Sequence, residues 1–442
     1  MTRRFGRLLF RPRACAAICA CSLVLVFGCT FAPHEFNSRT RAASFDALWA
    51  RLDSSYSYFE VREDHAAFRR AWRKRLIAAD TPRLYLTEMA RMLASLADPH
   101  LSFDNFEEYW QDKTELPLTR SAIAWAEAGR YWVAFHRDVV VPGSSPDAAP
   151  PADCYELLAV DGVRACPLAI DLLQGEPGRT IEARVLLAGG DEHTFKLRCP
   201  PPATATASRP STAPADDAAL GVTAYRAAGD IGVIQLKTLS PEAVVAAFDR
   251  ALDALSDTRA LVLDLRWNSG GSSRIVEAIL GRFVSDTTPY ARHVYRHRVS
   301  LIGGDVPVLF SFIFRAASRG RTYHKPVVCI TDFNTASSAE LLACGLHDAR
   351  DAVLVGSRTI GAGAGVRSVR LPDGLSVQYS ESPGIRLNGT AFQYVGIQPD
   401  IDVPLDLWRV RELGLAELRR WREEVMQAAI AEAARCTGSA SE

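Results

Sequence analysis

Lysine is almost missing from this chain. Of 51 basic residues only Lys74, Lys113, Lys196, Lys237 and Lys325 are lysines, and none follows Lys325. Net charge is missing too: 51 acidic groups balance the basic ones, which removes the electrostatic case for nucleic acid as a partner. There is no CxxC pair and no Cys/His spacing of a zinc site, so neither a metal nor a cofactor is expected. A G-x-S-x-G elbow is absent as well, which argues against an esterase of the familiar serine type. What remains is a chain of 442 residues, 48% hydrophobic and 23% charged, the balance of a folded soluble protein of about two to four domains.

The first 28 residues carry five arginines ahead of an apolar run from Ala14 to Gly28, the order of an export signal. That run is short for a bilayer-spanning helix. It ends in Val26-Phe27-Gly28-Cys29, which resembles a bacterial lipoprotein box with Cys29 as the lipidated residue, although Phe27 is bulky for it. Taking five arginines from 51 leaves 46 basic groups against 51 acidic ones in the mature chain, a mildly acidic protein. Export admits disulfides. Cys154 and Cys166 flank a predicted hairpin and are candidates to pair, while Cys329 and Cys344 sit in apolar runs as expected buried thiols.

Along the mature chain the hydrophobic period changes three times. Residues 29–117 form a helical region: FDALWARLDSSYSYF, HAAFRRAWRKRLIAA and RLYLTEMARMLASLA each place apolar residues three and four apart. Pro99 stops the third, leaving His100 on a loop. Residues 118–199 read as short strands, with Asp161-Gly162 as a hairpin turn. Residues 200–219, rich in Pro, Ala and Thr, are a linker. From 220 to 404 strands alternate with helices, which predicts an α/β core with a largely parallel sheet. A long amphipathic helix closes the chain within 405–442.

Two loops of that core attract chemistry. Strand LVLDLRW runs into Asn268-Ser269-Gly270-Gly271, where glycines let backbone N–H groups face a developing negative charge. Strand VVCI runs into FNTASSAELL, with a helix predicted from about Ser338. A serine at that junction exposes its hydroxyl beside unpaired helix N–H groups. Taken singly, Ser337 is better explained as a helix N-cap and the glycines as an ordinary turn; together they are less easily dismissed. Both loops lie at strand C-terminal ends, where open α/β sheets place their sites.

Together these stretches resemble the carboxyl-terminal processing, or tail-specific, serine proteases. Asp264-Leu265-Arg266-Trp267-Asn268-Ser269-Gly270-Gly271 matches a DLRxNxGG signature, and Asn334 to Glu340 matches N-x-x-S-x-x-E. Val353 to Gly361 matches VVG-x-x-T-x-G, and Gly396-Ile397-Gln398-Pro399-Asp400 matches G-x-x-P-D. The resemblance implies a ClpP/crotonase-like protease core, with Ser337 as nucleophile. It also implies an oxyanion hole from Ser338 N–H with Gly270 or Gly271, and a peptide or protein substrate. Segment 144–163 resembles the second half of a PDZ domain.

The resemblance also implies a lysine base, and its place holds Ala362. A serine without a base is a weak nucleophile. A tricorn-like branch draws a histidine from the helical region, a position matched here by His100 in Ala97-Asp98-Pro99-His100; histidine can both accept and return a proton near neutral pH. His347, ten residues beyond Ser337, is expected to face away. Asp98 and Glu340 are the acids near the motifs; Glu340 can orient the site or cap the helix. Gln393 stands where that branch has an acid and is a candidate to hold the imidazole. The expectation is an exported serine endopeptidase using Ser337, His100 and Glu340, tethered to the membrane at Cys29. The rival is an inactive peptide-binding lipoprotein of the same fold.

Overall fold

The computed structural model describes residues 36–438 except 57–64, 115–118, 135–154, 202–216 and short gaps at 97, 99, 121, 128–129, 188–189, 302–303, 407–408, 411–412 and 414. The expected signal, Cys29, Pro99, Cys154 and most of the linker therefore lie outside the described residues.

Asn37 opens the first helix, Ser38–Ser55, its side chain accepting the Thr40 amide at 2.9 Å. Helices His65–Ala78, Pro82–Ala94 and Phe106–Thr114 complete the front end; the sequence reading missed the last. Thr81 caps the helix Pro82–Ala94, with proline at its first position. Two arginines of that helix dock it on the neighbouring β unit. Arg83 donates to Asp161 Oδ2 at 2.9 Å and to the carbonyls of Leu172 and Gln174, and Arg91 donates to the Asp161 carbonyl.

That β unit is an antiparallel sheet containing Ile123–Glu127, Arg130–Ala134, Tyr155–Val160, Thr180–Leu186 and Glu192–Arg198. The Asp161-Gly162 turn forms as expected, both residues at positive φ (47° and 75°). Cys166 is a free thiol, so the structure does not show the expected pairing with Cys154; Cys329 and Cys344 are buried thiols.

The core sheet runs in the order Val222–Ala227, Ile231–Leu236, Ala260–Asp264, Val327–Thr331, Val353–Gly356, Ile401–Asp402, parallel after its first hairpin. Strands Ala260–Asp264 and Val327–Thr331 are buried at every residue, the pattern of a sheet covered on both faces. Alternation divides their side chains. Leu261, Leu263, Val327 and Cys329 pack under helices Ala243–Ala254, Ser273–Leu280 and Ser338–Arg350. Ala260, Val262, Val328 and Ile330 pack on Trp421, Val425 and Ala429 of the C-terminal helix Leu415–Gly438.

Two three-stranded sheets accompany the core sheet. In one, strand Ser376–Ser382 pairs antiparallel with Gly365–Arg370 and, on its other edge, with the two residues Ser102–Phe103. This register carries the loop holding Asp98 and His100 onto the core. A long hairpin of Thr288–Leu301 and Gly304–Ala316, not anticipated from the sequence, forms most of the other.

Candidate active site

The serine loop is laced to the glycine loop before any chemistry is considered. Asp332, fully buried, accepts the amides of Asn334 and Thr335 at 2.9 Å. Thr335 Oγ1 donates to the Leu265 carbonyl at 3.0 Å, and the Ala336 amide donates to the Asn268 carbonyl at 3.0 Å. The DLR motif explains itself similarly: Arg266 grips Asp264 through two 2.9 Å bonds and reaches the Arg422 carbonyl of the C-terminal helix at 2.6 Å.

Ser337 ends this turn at φ 55° and ψ −125°, a conformation that costs a non-glycine residue about 1–3 kcal/mol and persists only when its surroundings enforce it. Two neighbours do so. Glu340 Oε2 accepts the Ser337 amide at 3.1 Å. Gly270 lies against the loop so closely that a Cβ there would fall 2.7 Å from the Ala336 carbonyl and 2.8 Å from both Ser337 Cβ and Ser338 N. Gly270 also takes φ +93°, so glycine is required twice over.

The three predicted oxyanion donors fare differently. The Gly270 amide donates to Asn268 Oδ1 at 2.9 Å and is spent. Gly271 is held by Leu239, whose amide donates to the Gly270 carbonyl while its carbonyl accepts the Ser272 amide; Ser338 Oγ donates to the Gly271 carbonyl at 2.8 Å. The amides of Gly271 and Ser338 keep no acceptor among the described residues.

Glu340 is fully buried and uses both oxygens on backbone and hydroxyl donors. Besides Ser337 it accepts Thr359 Oγ1 at 2.5 Å, the Gly361 amide at 2.9 Å and the Ala362 amide at 2.7 Å. Burial pushes its carboxyl up to about 7 against the pull of these donors. It ties the serine to the 359–362 loop and makes no hydrogen bond to His100. Ala362, in the lysine's place, is buried. Lys325 donates to the Ser256 and Thr258 carbonyls, and Lys237 donates to the Arg266 carbonyl, so neither supplies a base.

His100 is 8% exposed, and its Nδ1 lies 3.2 Å from Ser380 Oγ. Ser380 Oγ donates to Asp98 Oδ1 at 2.9 Å. A hydroxyl has one proton, and the carboxylate takes it, so Ser380 can only accept from the ring. This places the proton on Nδ1 and leaves a lone pair on Nε2. Nε2 is buried without a hydrogen-bond partner. Burial lowers the His100 pKa from its usual 6.5, opposed by the charge of Asp98. Asp98 is itself fastened by the His100 amide at 3.0 Å, the Ser380 amide at 3.3 Å and Gln393 Nε2 at 3.4 Å. Gln393 thus holds the acid, not the imidazole.

A second imidazole was missed. His293 Nδ1 lies 3.1 Å from Ser382 Oγ, and its buried Nε2 also lacks a partner. Burial, with a smaller contribution from nearby His100, lowers its pKa to about 4. Ser380 and Ser382, two apart on one strand, share a face; that spacing was the available signal. His347 is engaged with Asp348 and Asp400.

No hydrogen bond joins His100 to Ser337. Their neighbours, though neither residue itself, line a cavity of about 340 Å³. Asp98 and Leu101, flanking His100, line it with Phe333 from the serine loop and Ile360 from the loop that Glu340 holds. Tyr131 and Arg164–Leu168 of the β unit close it, and the Tyr131 ring meets Phe333 edge-on at 6.4 Å.

Residues 230–403 match peptidase family S41. The chain is 31% identical over 175 residues to carboxy-terminal processing protease CtpB of Bacillus subtilis, which covers 39% of this chain and 34% of that protein. It is 25% identical over 387 residues to a chloroplastic C-terminal processing peptidase of Tetradesmus obliquus, covering 81% and 76%. This chain thus spans about a third of CtpB and about three quarters of the algal peptidase. Among solved structures, mature CPAF complexed with lactacystin superposes with TM-score 0.57 at 14% identity, covering 90% of this chain and 99% of that one. This likeness carries the mixed α/β fold alone. Among the described residues no helix is long and apolar enough to cross a membrane, and no group of three or more metal-ligating side chains occurs.

Proposed function

We propose that this chain is a serine-type endopeptidase of the S41 kind, working through a histidine of the helical front end in place of the lysine. The observation that carries the reading is the buried Nε2 of His100, left as an unpartnered lone pair by the Asp98–Ser380–His100 relay, on a loop whose Asp98 and Leu101 border the same cavity as Phe333 of the serine loop. Ser337 Oγ attacks the peptide carbonyl as His100 Nε2 takes its proton, and the same nitrogen returns that proton to the leaving amine. Asp98 supports the imidazolium through the Ser380 hydroxyl. Gly271 N–H and Ser338 N–H receive the oxyanion. Glu340 positions the serine without touching substrate.

The reading extends to an exported protein, lipid-anchored at Cys29, whose 118–199 unit is PDZ-like and whose 220–404 core is ClpP/crotonase-like. Its substrates are exported proteins or their peptide tails. The missing His100–Ser337 hydrogen bond favours the rival, a silent peptide-binding relative. Catalytic hydrogen bonds often tighten only once substrate is bound, so the two readings separate by experiment. A fluorophosphonate probe is expected to label Ser337, with labelling abolished in Ser337→Ala and reduced at least a hundredfold in His100→Ala. Labelling that survives Ser337→Ala removes the nucleophile assignment. No labelling of the parent protein, with peptide bound uncleaved, establishes the silent relative.

A further inference from the structure

One strand of the long hairpin turns apolar side chains to solvent on both of its faces. Its sheet runs in the order Gly304–Ala316, Thr288–Leu301, Gly384–Ile385, so the 304–316 strand forms an outer edge. Leu309 is 67% exposed, Phe312 56% and Phe310 50%, with Val308 and Ile313 above 40%. Alternation puts Val308, Phe310 and Phe312 on one face and Leu309 and Ile313 on the other. Phe314 packs on the core, so the exposed run starts where the strand parts from the body. The partner strand is better covered: Tyr295 and His297, both stacked on Phe310, are half-buried. With large aromatic side chains presenting about 150–250 Å² when free, the exposed parts of the five amount to roughly 400–500 Å². A patch of that size marks an interaction surface.

We propose that this strand dips edge-first into the headgroup layer of an anionic phospholipid bilayer. The two-sided exposure selects that occupant. A flat protein surface covers one face of a ribbon, and a further strand added at the edge covers neither. Pro307, with no N–H to offer, opposes such a strand as well. The boundary between headgroups and acyl chains takes up both faces together, while the unpaired backbone groups of the edge stay within reach of water. Charge agrees. Arg315 is exposed and forms no ion pair among the described residues. The register sets Arg292 opposite Ile313 and Pro289 opposite Arg315, so two arginines close the body end of the apolar run. Long cationic side chains so placed reach lipid phosphates while their apolar neighbours sink. Reach agrees too, and this part rests on the proposed lipid anchor. Seven residues lead from Cys29 to Phe36, where the described structure begins, and fully extended they span about 25 Å. An acyl chain at Cys29 thus keeps the first helix beside a bilayer, and the hairpin is built on that helix: Arg296 Nη1 donates to the Asp53 carbonyl at 3.0 Å.

Flotation with phospholipid vesicles tests this on the mature chain carrying Cys29→Ser, which has no acyl site. Binding to vesicles rich in phosphatidylglycerol is expected. Phe312→Glu is expected to weaken it at least tenfold, with the circular dichroism spectrum unchanged. Leu309→Glu, on the other face, is expected to weaken it as far; indifference there overturns the edge-first geometry. Arg315→Gln is expected to weaken binding to these vesicles about fivefold and to leave the lesser binding to phosphatidylcholine unchanged. No flotation of the Cys29→Ser chain overturns the proposal, as does flotation that Phe312→Glu leaves intact. A dimer in sedimentation velocity that Phe312→Glu dissolves, with no flotation, assigns the strand to a protein partner instead. The anchor is judged separately: a parent protein that floats no better than Cys29→Ser removes the lipid at Cys29 and leaves the strand's own binding standing.

Discussion

Exchanging Ser380 for alanine removes one oxygen and separates His100 from its acid. Without that hydroxyl, Asp98 Oδ1 and His100 Nδ1 stand 3.9 Å apart, too far for a direct hydrogen bond. The imidazolium formed during attack loses a hydrogen bond that leads to a charge, worth about 1.5–3 kcal/mol. At roughly 1.4 kcal/mol per decade, the rate of fluorophosphonate labelling is expected to fall about 10- to 100-fold. Asp98→Ala is expected to fall at least as far, since it also frees the Ser380 hydroxyl to donate towards Nδ1. Because both residues act through one ring nitrogen, the double variant should be little slower than the worse single one. Nitrogen NMR adds a readout that a merely structural role does not move: the neutral His100 ring is expected to hold its proton on Nδ1 in the parent and to mix tautomers in Ser380→Ala. Labelling of Ser380→Ala at the parent rate, or fully multiplicative losses in the double variant, would refute the relay.

The same geometry sets three further outcomes. Gly270→Ala places a methyl group 2.7–2.8 Å from the serine loop at φ +93°; a loss of about 2–5 kcal/mol in a urea melt is expected, with labelling abolished, and a parent-like melt contradicts the close approach. Glu340→Gln cannot turn its amide nitrogen without facing a backbone N–H from Ser337, Gly361 or Ala362. It should cost about 1–3 kcal/mol in the same melt, and an unchanged midpoint contradicts the clamp. Burial lowers the pKa of both His100 and His293, so their unfolded rings, near 6.5, take protons first as pH falls, and stability is lost below about pH 6.5. For His293, lowered to about 4, the loss approaches about 3 kcal/mol by pH 4. Glu340, raised to about 7, adds stability as pH falls over the same range, so melts at pH 7.5, 6 and 5 should show the histidine slope as the difference between the parent and His293→Gln.

What the chain declares in one dimension here is whatever depends on neighbours within a turn or two. The DLRxNxGG and N-x-x-S-x-x-E stretches are legible because a strand end, a glycine at positive φ and a helix start are local events. The Asp161-Gly162 turn and the buried strands are readable for the same reason. Ala362 in the lysine's place and His100 on a loop of the helical region were visible as letters, but their meaning was not. Ser380 reaches His100 across 280 residues because a strand register brings 102–103 beside 376–382, and no local preference encodes that pairing. Gln393 holding Asp98 instead of the imidazole, and Glu340 turned wholly onto backbone amides, are likewise settled by packing. So is which glycine amide is left over: Asn268 claims that of Gly270, and that of Gly271 has no acceptor among the described residues. The sequence alone therefore determined which residue types stand ready at which strand ends. Only the tertiary structure decided which protons and lone pairs are left over, because that depends on partners the folded chain brings from far along its length.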